Sequence, residues 1–304
     1  MKIHSIEFTK NWSWGLIWSD MINQYSHIIE RTFMNDGGKI PESVSENDVV
    51  LCQNVTLLKQ FKERLKTVCR MGGNYNFDGQ DFEKLKPLLN EMSKCYCIIA
   101  TNKKLYNIAT AIHNNVFLVP NGIDLKQWYP CPKKEERPFT VGFCGNISNT
   151  FYREYKGYDR LRMACKILGV ELKDALYKDG QIPHDKMMKE FYWKIDCLVH
   201  PTLGEGSSNT ISEACACGVP IITTREAGFH GEFMKDGYDV LFCTREIMDI
   251  KDKIQQLINN KILQEKLGRR SRMFAEKHHD IKVIAKKYEE IFQDCYRHNQ
   301  KLHV

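Results

Sequence analysis

The chain has 304 residues, 42% hydrophobic and 27% charged, enough apolar material for about two domains of ~100–200 residues, and it excludes wholesale disorder. Lys and Arg outnumber Asp and Glu by 44 to 38, a formal charge of +6. That suits an anionic partner without naming one, and an ordinary solvated surface meets it equally well. No apolar run reaches the ~18–20 residues of a membrane span, and Met1 to Asp20 lacks the basic start and apolar centre of a secretion signal.

The first segment opens with a predicted strand, Lys2 to Phe8. A loop follows in which Trp12, Trp14 and Trp18 surround Gly15. Asp48 to Cys52 reads as a buried strand, Val55 to Leu65 as a helix, and Thr67 to Met71 as a strand ended by Gly72 and Gly73. Phe82 to Met92 has helical spacing in spite of Pro87. Cys97 to Ala100 and Val116 to Val119 are short apolar strands. Such runs alternating with helices predict a parallel sheet in an α/β domain. Pro130, Pro132 and Pro138, set among charges, mark a connector.

Beyond it the alternation restarts. Strands are predicted over Phe139 to Cys144, Val170 to Leu172, Ile195 to His200, Ile221 to Thr223 and Val240 to Cys243. Helices are predicted over Tyr158 to Leu168, Lys186 to Trp193 and Asn209 to Cys217, the last stopped by Gly218 and Pro220. Ile254, Leu257, Ile258 and Leu267 are assigned to one following helix. A final helix carries the stripe Ile281, Ile284, Tyr288, Ile291, Phe292 and Cys295. The fold class is therefore α/β, two doubly wound domains in tandem, with ligands expected beyond the carboxyl ends of the strands.

Twelve cysteines without a secretion signal suit reduced thiols in the cytoplasm. Cys95 with Cys97, and Cys215 with Cys217, are C-x-C pairs, and no C-x-x-C occurs, so no metal is expected.

Asp196 to Thr224 carries the chemistry. A buried strand delivers the chain to a loop holding Glu205 and Gly206, after which Ser207, Ser208 and Asn209 supply helix-capping side chains. A helix start with small side chains suits a phosphate. Glu205 before it and Glu213 within it offer hydroxyl acceptors on either side, the arrangement of a nucleotide-sugar pocket. Each Glu taken alone reads equally as a loop carboxylate or a partner of the helix dipole.

The whole segment resembles the signature of retaining glycosyltransferases of family 4, which have the GT-B fold. Pro201-Thr202, Glu205-Gly206, Glu213-Ala214, Ala216, Gly218 and Pro220 carry the resemblance. Val119 to Asp124 resembles the family's lead-in to its second domain. Val141 to Asn146 followed by Lys156-Gly157 resembles its Gly-Arg and Lys-Gly element, and Gly231 to Cys243 the piece that follows the signature. The resemblance implies domains at 1–120, 121–278 and 279–304, facing a central crevice, with the last helix returning to a first domain that is short for the family.

It also implies roles. Glu205 would hold the hydroxyls of the transferred sugar, and Gly206, Ser207, Ser208 and Asn209 would offer N–H groups to it and to the diphosphate. Glu213 would hold the ribose, and Lys156 would neutralise the departing diphosphate. Gly145 and Asn146 fall at the donor, but Asn146 stands where the family has Arg. Arg153 reads either as its replacement or as a surface charge. Gly15 sits where the family places a glycine loop near the diphosphate. Gln53 and Asn54 are candidate acceptor contacts, and Gly72 and Gly73 read as a crevice lining or a plain turn. Neither His200 nor His230 is expected to act as a base.

The implied reaction moves a sugar from a nucleotide diphosphate sugar, UDP by preference, to a hydroxyl with retention and without a cofactor. Two acceptors compete, a saccharide or lipid-linked glycan met at a membrane surface, and a hydroxymethylated base in viral DNA. A non-catalytic nucleotide-sugar binder is the reading from another class.

Overall fold

The computed structural model describes residues 2–7, 29–33, 44, 48–60, 67–73, 77–133, 136–176 and 182–302. The chain forms two compact units, Met1–Gly122 with Ile281–Val304, and Ile123–Asp280.

Among the described residues the first unit holds six parallel strands, β1 (Ile3–Glu7), β2 (Ile29–Phe33), β3 (Val49–Cys52), β4 (Thr67–Met71), β5 (Cys97–Ala100) and β6 (Val116–Leu118), in the order β2-β1-β3-β4-β5-β6. Side chains alternate across the sheet, as strand geometry requires. Ile6, Val50, Cys52, Cys69, Met71 and Ile98 pack against helices α1 (Phe82–Ser93) and α2 (Lys103–Thr110). Ile3, Val49, Leu51, Val68, Cys97 and Ile99 pack in another cluster with the apolar stripe of the C-terminal helix, Ile281–Leu302. Both sets are needed because a parallel sheet is buried on two faces. Pro87 is accommodated inside α1, whose N-cap Asp81 accepts from the Glu83 N–H.

The second unit holds β7 (Thr140–Gly145), β8 (Glu171–Leu176), β9 (Cys197–His200), β10 (Ile221–Thr223) and β11 (Leu241–Phe242), all parallel, in the order β11-β10-β9-β7-β8. Its helices are α3 (Thr150–Lys156), α4 (Tyr158–Leu168), α5 (Met187–Glu190), α6 (Asn209–Ala216), α7 (Phe229–Phe233), α8 (Ile247–Ile258) and α9 (Lys261–His278). The C-terminal helix is α10. The fold class is as expected, two Rossmann-like parallel sheets.

Local departures have physical causes. The helix expected over Lys186 to Trp193 is broken, because Phe191 leaves the helical region (φ −124°). A regular helix would point Phe191 and Tyr192 about 100° apart, whereas here both are 1% exposed or less. The single helix expected through Leu267 is two, α8 and α9, parted where the Asn260 side chain accepts from the Leu263 N–H at 2.9 Å. Of the helix expected over Val55 to Leu65, Val55–Gln60 is a 3-10 helix and the remainder lies outside the described residues.

The chain passes between the units twice, and the two crossings run side by side within the second unit. The Ile123 N–H donates to the His279 carbonyl at 2.7 Å, and Ile123 pairs with Asp280 as an isolated bridge.

Candidate active site

β9 is buried throughout and ends at His200, where the chain turns into the loop carrying Glu205. Ser208 caps α6, its hydroxyl accepting from the Ile211 N–H at 3.5 Å, and Ser212 donates back to the Ser208 carbonyl at 3.0 Å. A second strip of chain clamps the loop. The Glu205 N–H donates to the Glu226 carbonyl at 3.1 Å, and the Phe229 N–H to the Gly206 carbonyl at 2.8 Å. Gly228 makes the clamp possible. Its backbone stands at φ 60°, ψ −130°, and a Cβ there would lie 2.1 Å from the Gly206 oxygen and 2.3 Å from that of Glu205.

Glu205 is the centre of the cluster. Its Oε1 accepts from Lys156 Nζ and from His200 Nε2, the latter at 2.8 Å. Burial opposes ionisation of Glu205, but the Lys156 charge and the hydrogen bonds from His200 and Lys156 outweigh it and hold the carboxyl at about 2. His200 is shifted down, first by burial and further by the Lys156 charge, against the pull of Glu205. It is therefore a neutral imidazole at physiological pH.

The depressed carboxyl has a pH consequence. Its value in the folded chain lies below the ordinary 4.5, so its stabilising contribution is complete above that value and is lost as pH falls through about 2. Chemical denaturation at pH 6 and pH 3 checks this. Glu205→Gln, which cannot titrate, should lose less stability over that interval than the parent.

Lys156 is aimed by the α3–α4 junction. Gly157 adopts the left-handed conformation (φ 68°), and a Cβ there would lie 2.4 Å from the Pro201 carbonyl oxygen. The Leu203 N–H donates to the Tyr155 carbonyl at 2.8 Å. Arg245 ties both sides together, donating to the Pro201 carbonyl at 3.1 Å and pairing with the Glu154 carboxylate at 3.2 Å. The helix end and the loop are thus one bonded unit.

Glu213, at 5% exposure, has a setting of its own. Oε2 accepts from the Tyr192 hydroxyl at 2.7 Å, and Oε1 is 3.3 Å from His184 Nε2. Trp128 packs against both partners, with ring centroids 5.2 Å from His184 and 5.7 Å from Tyr192. The kink at Phe191 that ends the expected helix is what brings Tyr192 here.

Other expected residues are placed less centrally. Arg153 is bonded to the Asp159 carboxylate, with its Nε at 3.1 Å, and its guanidinium lies 5.4 Å from the Tyr158 ring centre. Asn146 follows β7 and spends its carboxamide oxygen on the Ser148 N–H at 2.9 Å. Gly145 ends β7 with room for a Cβ at ordinary contact, 3.4 Å from the Phe143 ring. Gly15 and its three neighbouring tryptophans lie outside the described residues. In the first unit, Gln53 reaches Ser5 at 3.4 Å, and Asn54 accepts from the Thr56 N–H and hydroxyl. Among the described residues no group of three or more His, Cys, Asp or Glu side chains is arranged to hold a metal ion.

Sequence reasoning reads His200 as structural and passes over His184, Tyr192, Arg245 and Gly228. Two carried signals: His200 is the polar end of a buried strand shortly before Glu205, and Gly228 stands in a turn before an aromatic. The partners of Glu213 lie 21 and 29 residues away, with no local signal.

Residues 126–274, almost half of the chain, match the family model of Glycosyl transferases group 1. A 105-residue stretch is 37% identical to an uncharacterized glycosyltransferase of Methanocaldococcus jannaschii, covering 33% of this chain and 30% of that protein. A 110-residue stretch is 27% identical to the capsular polysaccharide biosynthesis glycosyltransferase CapM of Staphylococcus aureus, covering 36% and 29%. The matches thus span less than a third of these relatives' lengths. Anabaena HepE, solved with UDP and glucose, superposes with a TM-score of 0.74 at 14% identity over 97% of this chain and 100% of that one. Sucrose-phosphate synthase of Thermosynechococcus elongatus gives 0.73 at 12% over 98% and 99%. Residues 126–274 are thus similar to a glycosyl transferases group 1 domain, and the chain has the two-sheet fold of these GT-B structures.

Proposed function

We propose that the protein transfers a sugar from a UDP-sugar to a saccharide hydroxyl, with retention at the anomeric carbon and without a metal. The observation that carries this is the Lys156–Glu205–His200 cluster at the carboxyl end of β9, beside the capped start of α6. The bond from the anomeric carbon to the β-phosphate oxygen breaks, and a bond to the acceptor oxygen forms on the same face. The acceptor's proton goes to the departing phosphate oxygen. Lys156 neutralises the charge that develops there, joined by Arg153 if it exchanges Asp159 for phosphate. Glu205 accepts from the hydroxyls of the transferred sugar. Gly206, Ser207, Ser208 and Asn209 line the donor, with Gly145 and Asn146 beside them. HepE bound to UDP-glucose supports the donor class, and CapM, named for capsular polysaccharide synthesis, the acceptor class. Phe151, 59% exposed on α3 five residues before Lys156 and stacked on Tyr155, offers an apolar face of the kind a sugar ring packs on.

Glu213 holds the ribose, steadied by Tyr192. Tyr192→Phe should therefore weaken UDP about three- to tenfold, ~0.7–1.4 kcal/mol, as read by titration calorimetry. An unchanged affinity would remove Tyr192 from the site.

The deciding experiment incubates the protein with labelled nucleotide sugars and, as acceptors, free saccharides, lipid-linked glycans, plain DNA and hydroxymethylated DNA, with and without EDTA. Label in a glycan, in the retained configuration and insensitive to EDTA, is the expected result. Transfer only to modified DNA would replace the acceptor class. UDP-sugar binding without turnover against any acceptor would make the chain a sensor. No nucleotide-sugar binding would overturn the reading.

A further inference from the structure

Two donors of the cluster share one acceptor oxygen, and only one of them is free to leave it. Lys156 Nζ and His200 Nε2 both donate to the same oxygen, Oε1 of Glu205. Under the proposed reaction Lys156 serves the donor diphosphate, toward which its ammonium turns from Glu205 when the donor arrives. A lysine can do so, because its ammonium rides on a flexible four-carbon stem and is a point charge indifferent to direction. His200 cannot move away. Its side chain is 2% exposed, its ring lies over Phe143 with 6.1 Å between centroids and 22° between planes, and its carbonyl accepts from the Thr223 hydroxyl at 2.6 Å.

The other ring nitrogen of His200 decides what it can donate. Nδ1 is buried and has no hydrogen-bond partner among the described residues. A neutral imidazole has one N–H. Placed on Nδ1 it would be a buried donor without an acceptor, and it would leave the Nε2 lone pair facing a carboxylate. Placed on Nε2 it satisfies Glu205. Tautomer and direction are thus fixed by burial.

We propose that His200 is a positioning residue, which keeps Glu205 aimed at the transferred sugar while Lys156 passes from Glu205 to the donor diphosphate. The Lys156–Glu205 ion pair is then the resting arrangement of the unliganded chain, and the His200 bond is the one retained through the reaction. This rests on the reading of the chain as a UDP-sugar transferase and adds the division of labour between the two donors.

The proposal separates variants by ligand. UDP carries the diphosphate but no sugar, so its binding needs Lys156 and not the orientation of Glu205. Lys156→Met should weaken UDP at least about tenfold. His200→Phe preserves the ring packing against Phe143 and removes the donor. It should leave the UDP Kd within about twofold and lower kcat for transfer at least about thirtyfold. His200→Gln, which can still present an N–H, should recover kcat to within about fivefold of the parent. Calorimetry with UDP, initial rates with UDP-sugar and thermal melts of the parent and the three variants give all the readouts. The proposal fails if His200→Phe loses UDP binding along with transfer, if Gln is no better than Phe, if kcat survives in the Phe variant, or if Lys156→Met leaves UDP affinity unchanged. A parent that neither binds UDP nor transfers sugar would instead refute the underlying assignment, which the donor and acceptor panel detects independently.

Discussion

Glu205→Ala should abolish most of the transfer, lowering kcat/KM about 10²–10³-fold, or ~2.7–4 kcal/mol of transition-state stabilisation. The loss has two sources. The sugar hydroxyls lose their charged acceptor, and two donors lose theirs, since Lys156 Nζ and His200 Nε2 converge on Glu205 Oε1. His200 is the costlier of the two, because its other nitrogen already lacks a partner among the described residues and a buried donor left unsatisfied costs ~1–3 kcal/mol. Glu205→Gln separates the two sources. Its carbonyl oxygen can still accept from His200, so it should restore most of the thermal stability lost in the Ala variant while transfer stays low. Steady-state rates and melting temperatures of the two variants are the measurement. Transfer by Glu205→Ala within tenfold of the parent would show that this carboxylate does not contact the reacting sugar.

Gly228→Ala should be the most damaging single methyl in the second unit. The backbone there, at φ 60° and ψ −130°, is open to glycine alone. The methyl would meet two carbonyl oxygens, at 2.1 and 2.3 Å, both of them backbone. Neither can step aside without breaking the Phe229 to Gly206 hydrogen bond, and with it the clamp on Glu205. A cost of about 3 kcal/mol or more is expected, from conformational strain plus the displaced loop, together with loss of transfer. Gly237 is the control. It is also left-handed (φ 67°) but has nothing within 4 Å of a built Cβ, so Gly237→Ala should cost only the ~1–2 kcal/mol of the conformation itself. Denaturant titrations of both variants decide it. Equal costs would mean that the close approach at Gly228 is relieved cheaply.

What could be read from residues alone follows from how local each signal is. Thr67–Met71, Tyr158–Leu168 and Ile221–Thr223 are found at their expected bounds, because a β-branched run or an apolar 3.6-residue stripe between glycines and prolines is local information. β2 and α3 are missed for the opposite reason. Ile29–Phe33 mixes charged and apolar residues, with no clean alternation. α3 is seven residues long, too short for periodicity, although Asn149 capping the Tyr152 N–H at 2.9 Å was available as a start signal. In the site, the Glu205–Gly206 loop and the capped helix are legible because they are one continuous stretch. The contacts that give them chemistry are not. His200 to Glu205 spans five residues, but Lys156 to Glu205 spans 49. Arg153 shows the limit from the other side, since a basic residue at a plausible spacing proves to be engaged with Asp159.

The way the chain divides has a bearing on its birth at the ribosome. The second unit is one continuous stretch, Ile123–Asp280, whereas the first needs both Met1–Gly122 and Ile281–Val304. Synthesis therefore supplies everything the second unit requires before it supplies α10. Until then the sheet face formed by Ile3, Val49, Leu51, Val68, Cys97 and Ile99 lacks its cover of Ile281, Ile284, Tyr288, Ile291 and Phe292. Each such side chain contributes ~1.5–3 kcal/mol when buried, so the nascent first unit carries a sticky apolar wall for as long as the second takes to emerge. The first unit, begun before the second, is completed after it, and a chaperone that shields that wall during elongation would act on the first unit and not on the second.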